Sequence, residues 1–564
     1  MKKTISLMAM ACVALSSLPC KSQNQESKIE KNHPGTLGEI KNFSPKKDVD
    51  LALKIKNFAQ VKLTSDINHL SVKEKEMVSY LLDAAQIMDD LYWKQTLGNK
   101  EAFLSNIKDP QTKRFAQINY GPWERLNGNE SFIGEVGKKP EGANFYPTDM
   151  TKAEFEKIAD TNKKSMYTII RRNADKSLRV IWYHDAYAEE INKAAELLIK
   201  AASVCENVEF KKYLELRAKA LLTDNYFESD IAWMNVKSSN IDFVVGPIEN
   251  YEDGLFGYKS AFESFLLIKD QNWSKKLERF TALLPEIQKN IPAEEQYKKE
   301  KPGSESDMGA YDAVFYAGDC NAGSKTIAIN LPNDEKVQLQ KGTRKLQLKN
   351  SMKAKFDNMV IPISNILIAE NQRKHIKFNA FFENTMFHEV AHGLGVKNLI
   401  SRKGTVRDGL KEQYSGVEEG KADIMGLWIV SKLYEMKELN EGEVMDNYVT
   451  FVAGIFRSIR FGAASAHGKA NLSCYNFLME KNAIKFDEKT QTYSVDFNNM
   501  KIAIAELVGK IIKIEGDGDY EGAKNMIQGA KISPRLQQDL DRIKNANIPV
   551  DIVFEQGKAQ LGLK

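Results

Sequence analysis

The sequence predicts an α+β protein that is predominantly helical and folds as more than one packed unit. The chain has 564 residues, which exceeds a single ordinary core, so roughly two to four packed units are expected. Apolar residues recur at helical spacing over most of the chain. Runs rich in β-branched and aromatic residues are short and few, so they predict one modest sheet or barrel.

The composition is that of a soluble globular protein, and it argues against a nucleic acid partner and against a membrane span. Apolar residues make up 42% of the chain and charged residues 28%, and beyond the start no apolar run approaches the length of a membrane span. The 80 basic and 76 acidic side chains leave a formal charge of +4, too small for a nucleic-acid-binding surface. We therefore expect no nucleic acid partner and no membrane span.

The first residues predict a bacterial export signal over 1–22. Two lysines precede an apolar run from Ile5 to Leu18, and Cys20 and a polar stretch follow. Two outcomes stay open at this site: simple signal cleavage, or a lipid anchor on Cys20. The mature protein is therefore expected to be exported, either periplasmic or lipid-anchored at a bacterial membrane.

The N-terminal third is predicted to be mostly helical. A capping box at Ser71 starts a periodic apolar pattern that should stop near Gly98. A second capping box at Thr151 begins a helix predicted over 152–174, and another helix is predicted over 186–204.

Strands and a helical lobe follow. A charged, non-periodic stretch at 292–308 predicts a loop or linker. Long helices with short breaks are predicted from 351 to 482. The predicted strands are 178–183, 241–248, 325–331 and 549–554.

Residues 388–392 form an HExxH motif. Helical spacing places His388 and His392 on one face, where both imidazoles can bind the same zinc ion. Glu389 then faces the open position of the ion, where a carboxylate can take a proton from bound water. With only seven histidines in the chain, a chance motif is the weaker interpretation. We predict one zinc ion per chain.

A second motif, EExxAD at 418–423, is embedded in an apolar run typical of a buried helix. Glu419 is the candidate third zinc ligand. Asp423 lies one turn further along and can hold a ligand histidine by its second nitrogen, and Glu418 can do the same. The alternative interpretation is an ordinary solvated acidic start of a helix.

HExxH followed by EExxAD resembles the dipeptidyl peptidase III family of zinc exopeptidases, in its short-motif bacterial branch. The resemblance covers roughly residues 180 to 530. The segment Gly246–Asp253 looks like the family's segment with a glutamate for the substrate's amino end and a tyrosine for the oxyanion. The resemblance therefore implies these roles for Glu249 and Tyr251.

Two further segments carry the same resemblance. The segment at 328–333 is similar to the family's asparagine-bearing strand, which implies that Asn330 and Asn333 bind the N-terminal part of the peptide. His467 matches the histidine that assists at the scissile carbonyl. A Tyr hydroxyl and an imidazole N–H are suitable donors to an oxygen that gains negative charge. Without the resemblance, these residues would be interpreted as structural or turn residues.

The sequence departs from the family in two places. Most members have a six-residue HExxGH motif, whereas this chain has the five-residue form. Asn471 stands where the better-known members carry an arginine, which puts recognition of the C-terminal side of the substrate in question.

The resemblance implies a two-lobed metallopeptidase with a helical zinc-bearing lobe, a mixed lobe with a small β-core, and a cleft between them. We expect a monomer. The predicted units are the signal at 1–22, the mixed lobe at 23–335, the helical catalytic lobe at 336–535 and a segment returning to the mixed lobe at 536–564.

The predicted activity is release of dipeptides from the N-terminus of short peptides, with Glu389 as general base. Two alternatives stay open. The first is another zinc oligopeptidase or an aminopeptidase. The second is a non-enzymatic, zinc-stabilised peptide-binding lipoprotein, against which the presence of Glu389 argues because zinc itself needs only the other three residues.

Overall fold

The computed structural model describes residues 43–302, 306–401, 403–463 and 465–563. The predicted export signal and Cys20 lie outside these ranges. Within them, none of the helices combines the length and apolar character needed to cross a membrane.

Helices dominate the first part of the described chain. Helix α2 begins with the predicted capping box, in which Ser71 Oγ accepts from the Glu74 N–H and the Glu74 carboxylate accepts from the Ser71 N–H. The helices of this part are α1 (Leu51–Lys56), α2 (Val72–Thr96), α3 (Lys100–Asn106), α4 (Pro110–Asn119), α5 (Lys152–Glu156), α6 (Tyr183–Ala186), α7 (Ala188–Val204), α8 (Val208–Thr223) and α9 (Phe227–Met234).

The prediction of a helix over 152–174 is wrong beyond its first turns. Helix α5 ends at Glu156, and Thr168–Arg172 form a strand that pairs antiparallel with Leu178–Trp182. The strand begins with the three β-branched residues 168–170, all of them buried, and their packing in the hairpin outweighs helical spacing. The helix predicted over 186–204 is confirmed as α7.

The strands form one larger sheet and several two-stranded pairs. The four predicted strands are confirmed as β5, β6, β9 and β13 in the following numbering. The strands are β1 (Phe58–Lys62), β2 (Trp123–Glu124), β3 (Glu130–Ser131), β4 (Thr168–Arg172), β5 (Leu178–Trp182), β6 (Ile241–Pro247), β7 (Phe262–Lys269), β8 (Ser306–Gly318), β9 (Ala328–Leu331), β10 (Thr343–Leu348), β11 (Ile484–Asp487), β12 (Thr492–Val495) and β13 (Asp551–Glu555).

The larger sheet has five strands in the order β6–β7–β8–β10–β9. Strands β8 and β10 are parallel, and the other neighbours are antiparallel. This order leaves β6 and β9 at the two edges. Both edge strands lead into segments with candidate substrate-binding residues, so those residues lie at the margins of one sheet.

A second set of helices follows, and all except the helix at 335–341, whose buried Val337 lies in the core of the first lobe, build the helical lobe. Helix α16 packs against both α14 and α18 in the following numbering. The helices are α10 (Gln271–Asn290), α11 (Glu335–Lys341), α12 (Lys349–Lys355), α13 (Ile361–Leu367), α14 (Phe378–Ala391), α15 (Val406–Leu410), α16 (Tyr414–Glu435), α17 (Val444–Ile459), α18 (Ala466–Glu480), α19 (Phe497–Asp517), α20 (Tyr520–Gln528) and α21 (Pro534–Asn545).

Two large buried cores correspond to two lobes. The first core draws its residues from 43–348 and is joined by Val553 and Leu561 near the end of the described chain. The second core draws its residues from 273–543, including the buried face of α10. The predicted α+β class, predominantly helical and two-lobed, is confirmed.

The last strand returns to the first lobe. Strand β13 pairs in parallel with β1, from Phe58 opposite Asp551 to Lys62 opposite Glu555. The chain therefore builds the helical lobe between two segments that lie side by side.

Candidate metal and peptidase site

The HExxH residues lie at the C-terminal end of α14. His388 is buried, and its ring centroid lies 4.9 Å from that of His392, the residue that caps the helix. Glu389 is partly buried. Helix α16 approaches this point closely because residue 426 is a glycine: a Cβ there would lie 2.7 Å from the His388 backbone nitrogen. The close approach brings the acidic motif of α16 to the histidines.

Glu419 lies at the centre of the cluster. Its Oε2 atom is 3.3 Å from His388 Nε2, 3.9 Å from His392 Nε2 and 3.0 Å from His467 Nδ1. The same oxygen is buried and accepts no well-directed hydrogen bond. Ligand atoms of His388, Glu419 and His467 lie within 4.8 Å of one another. A buried oxygen among imidazole nitrogens fits a divalent cation that accepts nitrogen and oxygen donors.

Each motif histidine has its own carboxylate partner. His388 Nδ1 lies 2.7 Å from Asp423 Oδ1, and His392 Nδ1 lies 2.8 Å from Glu418 Oε1. Because an ionised carboxylate only accepts hydrogen bonds, both Nδ1 atoms carry the donating N–H. Both Nε2 atoms are then available to coordinate a metal ion. The structure thus places Glu418 and Asp423 in contact with the rings they were predicted to orient.

Charge partners set the protonation of this cluster. Burial raises the pKa of Glu418, but Lys421 and His392 outweigh it and lower that pKa to about 2. Burial lowers the pKa of His388, but Asp423 outweighs it and raises that pKa to about 10. A metal ion would therefore displace a proton from His388, as expected for ligands that must be neutral.

Two buried charged residues of this cluster were not predicted as site residues. Lys421 Nζ lies 2.8 Å from Glu418 Oε1, donates to Leu394 O at 3.2 Å and lies 4.0 Å from Glu515 Oε2. Both Lys421 and Glu515 are buried. Lys421 stands inside the EExxAD motif, which is the signal that could have drawn attention to it.

Asn471 has a contact that the sequence did not indicate. Its Nδ2 atom donates to Asp423 Oδ2 at 2.9 Å and to His467 O at 2.9 Å. The asparagine therefore holds the carboxylate that orients His388. Its bond to His467 O lies within α18, one turn from His467, whose side chain is 63% exposed.

The candidate substrate-binding residues lie at the margins of the sheet. Tyr251 is 79% exposed, and the adjacent charge of Glu249 raises its pKa. Asn330 is exposed on β9, and Asn333 Nδ2 donates to Ile248 O at 3.4 Å. Within the described ranges, no hydrogen bond or ion pair joins these four residues to the histidine motif.

One side chain of the sheet does reach the motif. Lys345 of β10 is buried, and its Nζ donates to Glu389 O at 2.8 Å. The same ammonium lies 3.6 Å from Glu389 Oε2. No pattern in the sequence of β10 distinguishes this buried lysine from a lysine at the protein surface.

The comparisons with known proteins agree with this geometry. The family model described as Peptidase family M49 matches residues 150–422. The solved structure of DPP III from Caldithrix abyssi is 39% identical, with a TM-score of 0.84, and the match covers 89% of this chain and 98% of that one. The chain belongs to peptidase family M49. It is therefore a peptidase, and the predicted membership is confirmed.

Two further comparisons extend over nearly the same length of this chain. Dipeptidyl-peptidase III from Corallococcus sp. strain EGB is 34% identical with a TM-score of 0.73, covering 90% of this chain and 96% of that one. A protein of Arabidopsis thaliana named Nudix hydrolase 3 is 32% identical over 90% of this chain and 74% of its own length. Part of the plant protein thus has no counterpart in the match.

Proposed function

We propose that this M49 peptidase is a zinc-dependent exopeptidase that releases dipeptides from the amino terminus of short peptides. The observation that carries the proposal is Glu419 Oε2, which lies within 3.9 Å of three imidazole nitrogens. The geometry of these candidate metal ligands supports hydrolysis. The two solved relatives, both described as DPP III, support the dipeptide as the product.

His388, His392 and Glu419 would hold the zinc ion. Two imidazole nitrogens and one carboxylate oxygen, with an open fourth position, form the donor set of a catalytic zinc site. When bound, zinc supplies Lewis acidity that polarises a carbonyl and lowers the pKa of water toward about 7. Asp423 and Glu418 would hold the two rings in the orientation that presents Nε2.

Glu389 would act as the general base. It follows His388 on α14, and its side chain is partly exposed. It would take a proton from the attacking water and return that proton to the leaving amine. His467 and Tyr251 would donate to the carbonyl oxygen as it gains negative charge. Because Tyr251 is 79% exposed, its contribution requires closure of the two lobes.

The product length would be set by the distance between the Glu249 carboxylate and the zinc site. Glu249 would bind the substrate's ammonium, while Asn330 and Asn333 would bind the first residues of an extended peptide at the edge of β9. An extended chain advances about 3.3 Å per residue, so two residues bring the second peptide bond roughly 7 Å from the ammonium. With the candidate zinc ligands at that distance, hydrolysis would occur after the second residue.

Mass spectrometry of the products from unblocked tri- to decapeptides tests the proposal. We expect successive loss of N-terminal dipeptides, abolished by chelation and by Glu389→Gln. Single amino acids or internal fragments would favour another zinc oligopeptidase or an aminopeptidase. Intact peptides in the presence of bound zinc would favour a peptide-binding protein.

A further inference from the structure

We infer that Lys345 is a positioning residue for peptide hydrolysis: from the sheet, its ammonium holds Glu389 and the end of α14 in place. The inference rests on the proposed function, in which Glu389 is the general base. Lys345 has no assigned role there.

The contact has two parts, both to the same residue. Lys345 Nζ donates to Glu389 O at 2.8 Å and lies 3.6 Å from Glu389 Oε2. An ammonium that faces the carbonyl and the carboxylate of one residue restricts the rotamers of that side chain. Lys345 is 8% exposed, so water competes poorly for these contacts.

The position of the contact on α14 explains why a cation is favoured there. The helix ends at Ala391, so Glu389 O is one of the last four carbonyls, which have no partner within the helix. A positive charge stabilises the partly negative C-terminal end of a helix. Lys345 supplies that charge from another lobe, at the turn that carries the HExxH motif.

The register of the sheet connects this contact to the substrate side. The Cα of Lys345 lies opposite that of Asn330 in the antiparallel pair β10–β9. Strand β9 is an edge strand and carries a candidate peptide-binding residue. A shift of the sheet relative to α14 would therefore move the bound peptide and the ammonium that contacts Glu389 together. Lys345 makes the geometry of the base depend on the position of the sheet.

Steady-state kinetics of Lys345→Met, loaded with zinc and checked for metal content, test this role. Because the lysine acts on the base, we expect kcat to fall by about 10- to 100-fold, the usual range for loss of a supporting partner. KM should stay within about threefold. The matched control is Lys341→Met, an exposed lysine four residues earlier, which should keep the kinetics of the unmodified enzyme.

Chemical rescue separates lost positioning from general damage. Lys345→Ala leaves space in front of Glu389, so propylammonium should raise its kcat several-fold, whereas tetramethylammonium, which has no N–H donor, should not at equal ionic strength. Equal rates in both salts would overturn the inference. A kcat for Lys345→Met within about twofold of the unmodified enzyme, or a change in KM alone, would also overturn it.

Amide hydrogen exchange gives a readout that does not depend on turnover. In the zinc-loaded protein, Lys345→Met should exchange faster than the unmodified chain in both 343–348 and 378–391, and Lys341→Met in neither. Unchanged exchange in both segments would contradict the contact. Products other than dipeptides would refute the proposed product length but leave the kinetic test of Lys345 intact.

Discussion

The two halves of the proposed site differ in how firmly the fold holds them. In the helical lobe, His388 and His392 each contact a carboxylate at 2.7–2.8 Å. In the mixed lobe, Tyr251 is 79% exposed, and the hydrogen bond of Asn333 is long at 3.4 Å. The two motif histidines are oriented by residues of their own lobe, whereas Tyr251 and Asn333 face solvent.

This difference shows which interactions exist before the substrate binds. Metal ligands need fixed orientation, which buried partners supply at all times. Peptide-binding groups that point into solvent gain their partners only from the peptide. Substitutions in the helical lobe should therefore affect every substrate, whereas substitutions at the sheet margin should depend on the chemistry of the peptide.

The largest effect is expected for Glu389→Gln. Loss of the general base should lower kcat by roughly 10²-fold or more, while zinc content stays near one ion per chain. Kinetics together with elemental analysis check this. Near-normal turnover would remove Glu389 from the role of base.

Glu419→Ala should reduce the metal content, because it removes the oxygen that faces three imidazole nitrogens. Zinc stoichiometry after dialysis is the measurement. Glu435→Ala on the same helix is the matched control, since that residue pairs with Lys432 and Lys501, away from the histidines. Unchanged zinc in the Glu419 variant would show that the third ligand lies elsewhere.

Asp423→Asn should lower zinc affinity or activity by about 10- to 100-fold, since the amide no longer accepts from His388 Nδ1 with full charge. Competition with a zinc chelator measures the affinity. An affinity equal to that of the unmodified protein would contradict the supporting role of Asp423.

Glu249→Gln should sharpen the contrast between the two halves. Peptides with a free N-terminus should lose about tenfold in kcat/KM, because a charge-assisted contact to the ammonium is lost. N-acetylated peptides should lose little, and zinc content should not change. Equal losses on both kinds of peptide would reject the ammonium contact.

The smallest effect is expected for Asn471→Ala. It removes one donor to Asp423 but leaves the contact between Asp423 and His388, so a loss of only a few-fold in zinc affinity is expected. The double variant with Asp423→Asn should be no worse than Asp423→Asn alone. Additive losses would show that Asn471 acts independently of Asp423.

Sequence reasoning succeeded where short-range spacing determines geometry. His388 and His392 are four residues apart, so any helix brings their rings to one face. The same holds for Glu419 and Asp423 on α16. The capping box at Ser71 likewise predicts a helix start from four consecutive residues.

Sequence reasoning failed where contacts between distant segments determine the structure. The hairpin β4–β5 replaces a predicted helix because pairing buries Ile169 and Ile170. The strand β5 was predicted, but no local pattern indicates that β4 pairs with it. Lys345 was missed for the same reason, since its contact to Glu389 joins a strand to a helix of another lobe. Asn471 was noted as a departure from the family, but its contact with Asp423 depends on how α18 packs against α16.

The pairing of β1 with β13 has a consequence for the order of synthesis. Because β13 comes almost five hundred residues after β1, the mixed lobe is not complete until residues 551–555 have left the ribosome. The helical lobe, contained between these strands, can form its core first. A nascent chain would thus carry all the proposed metal ligands before β13 is available to pair with β1.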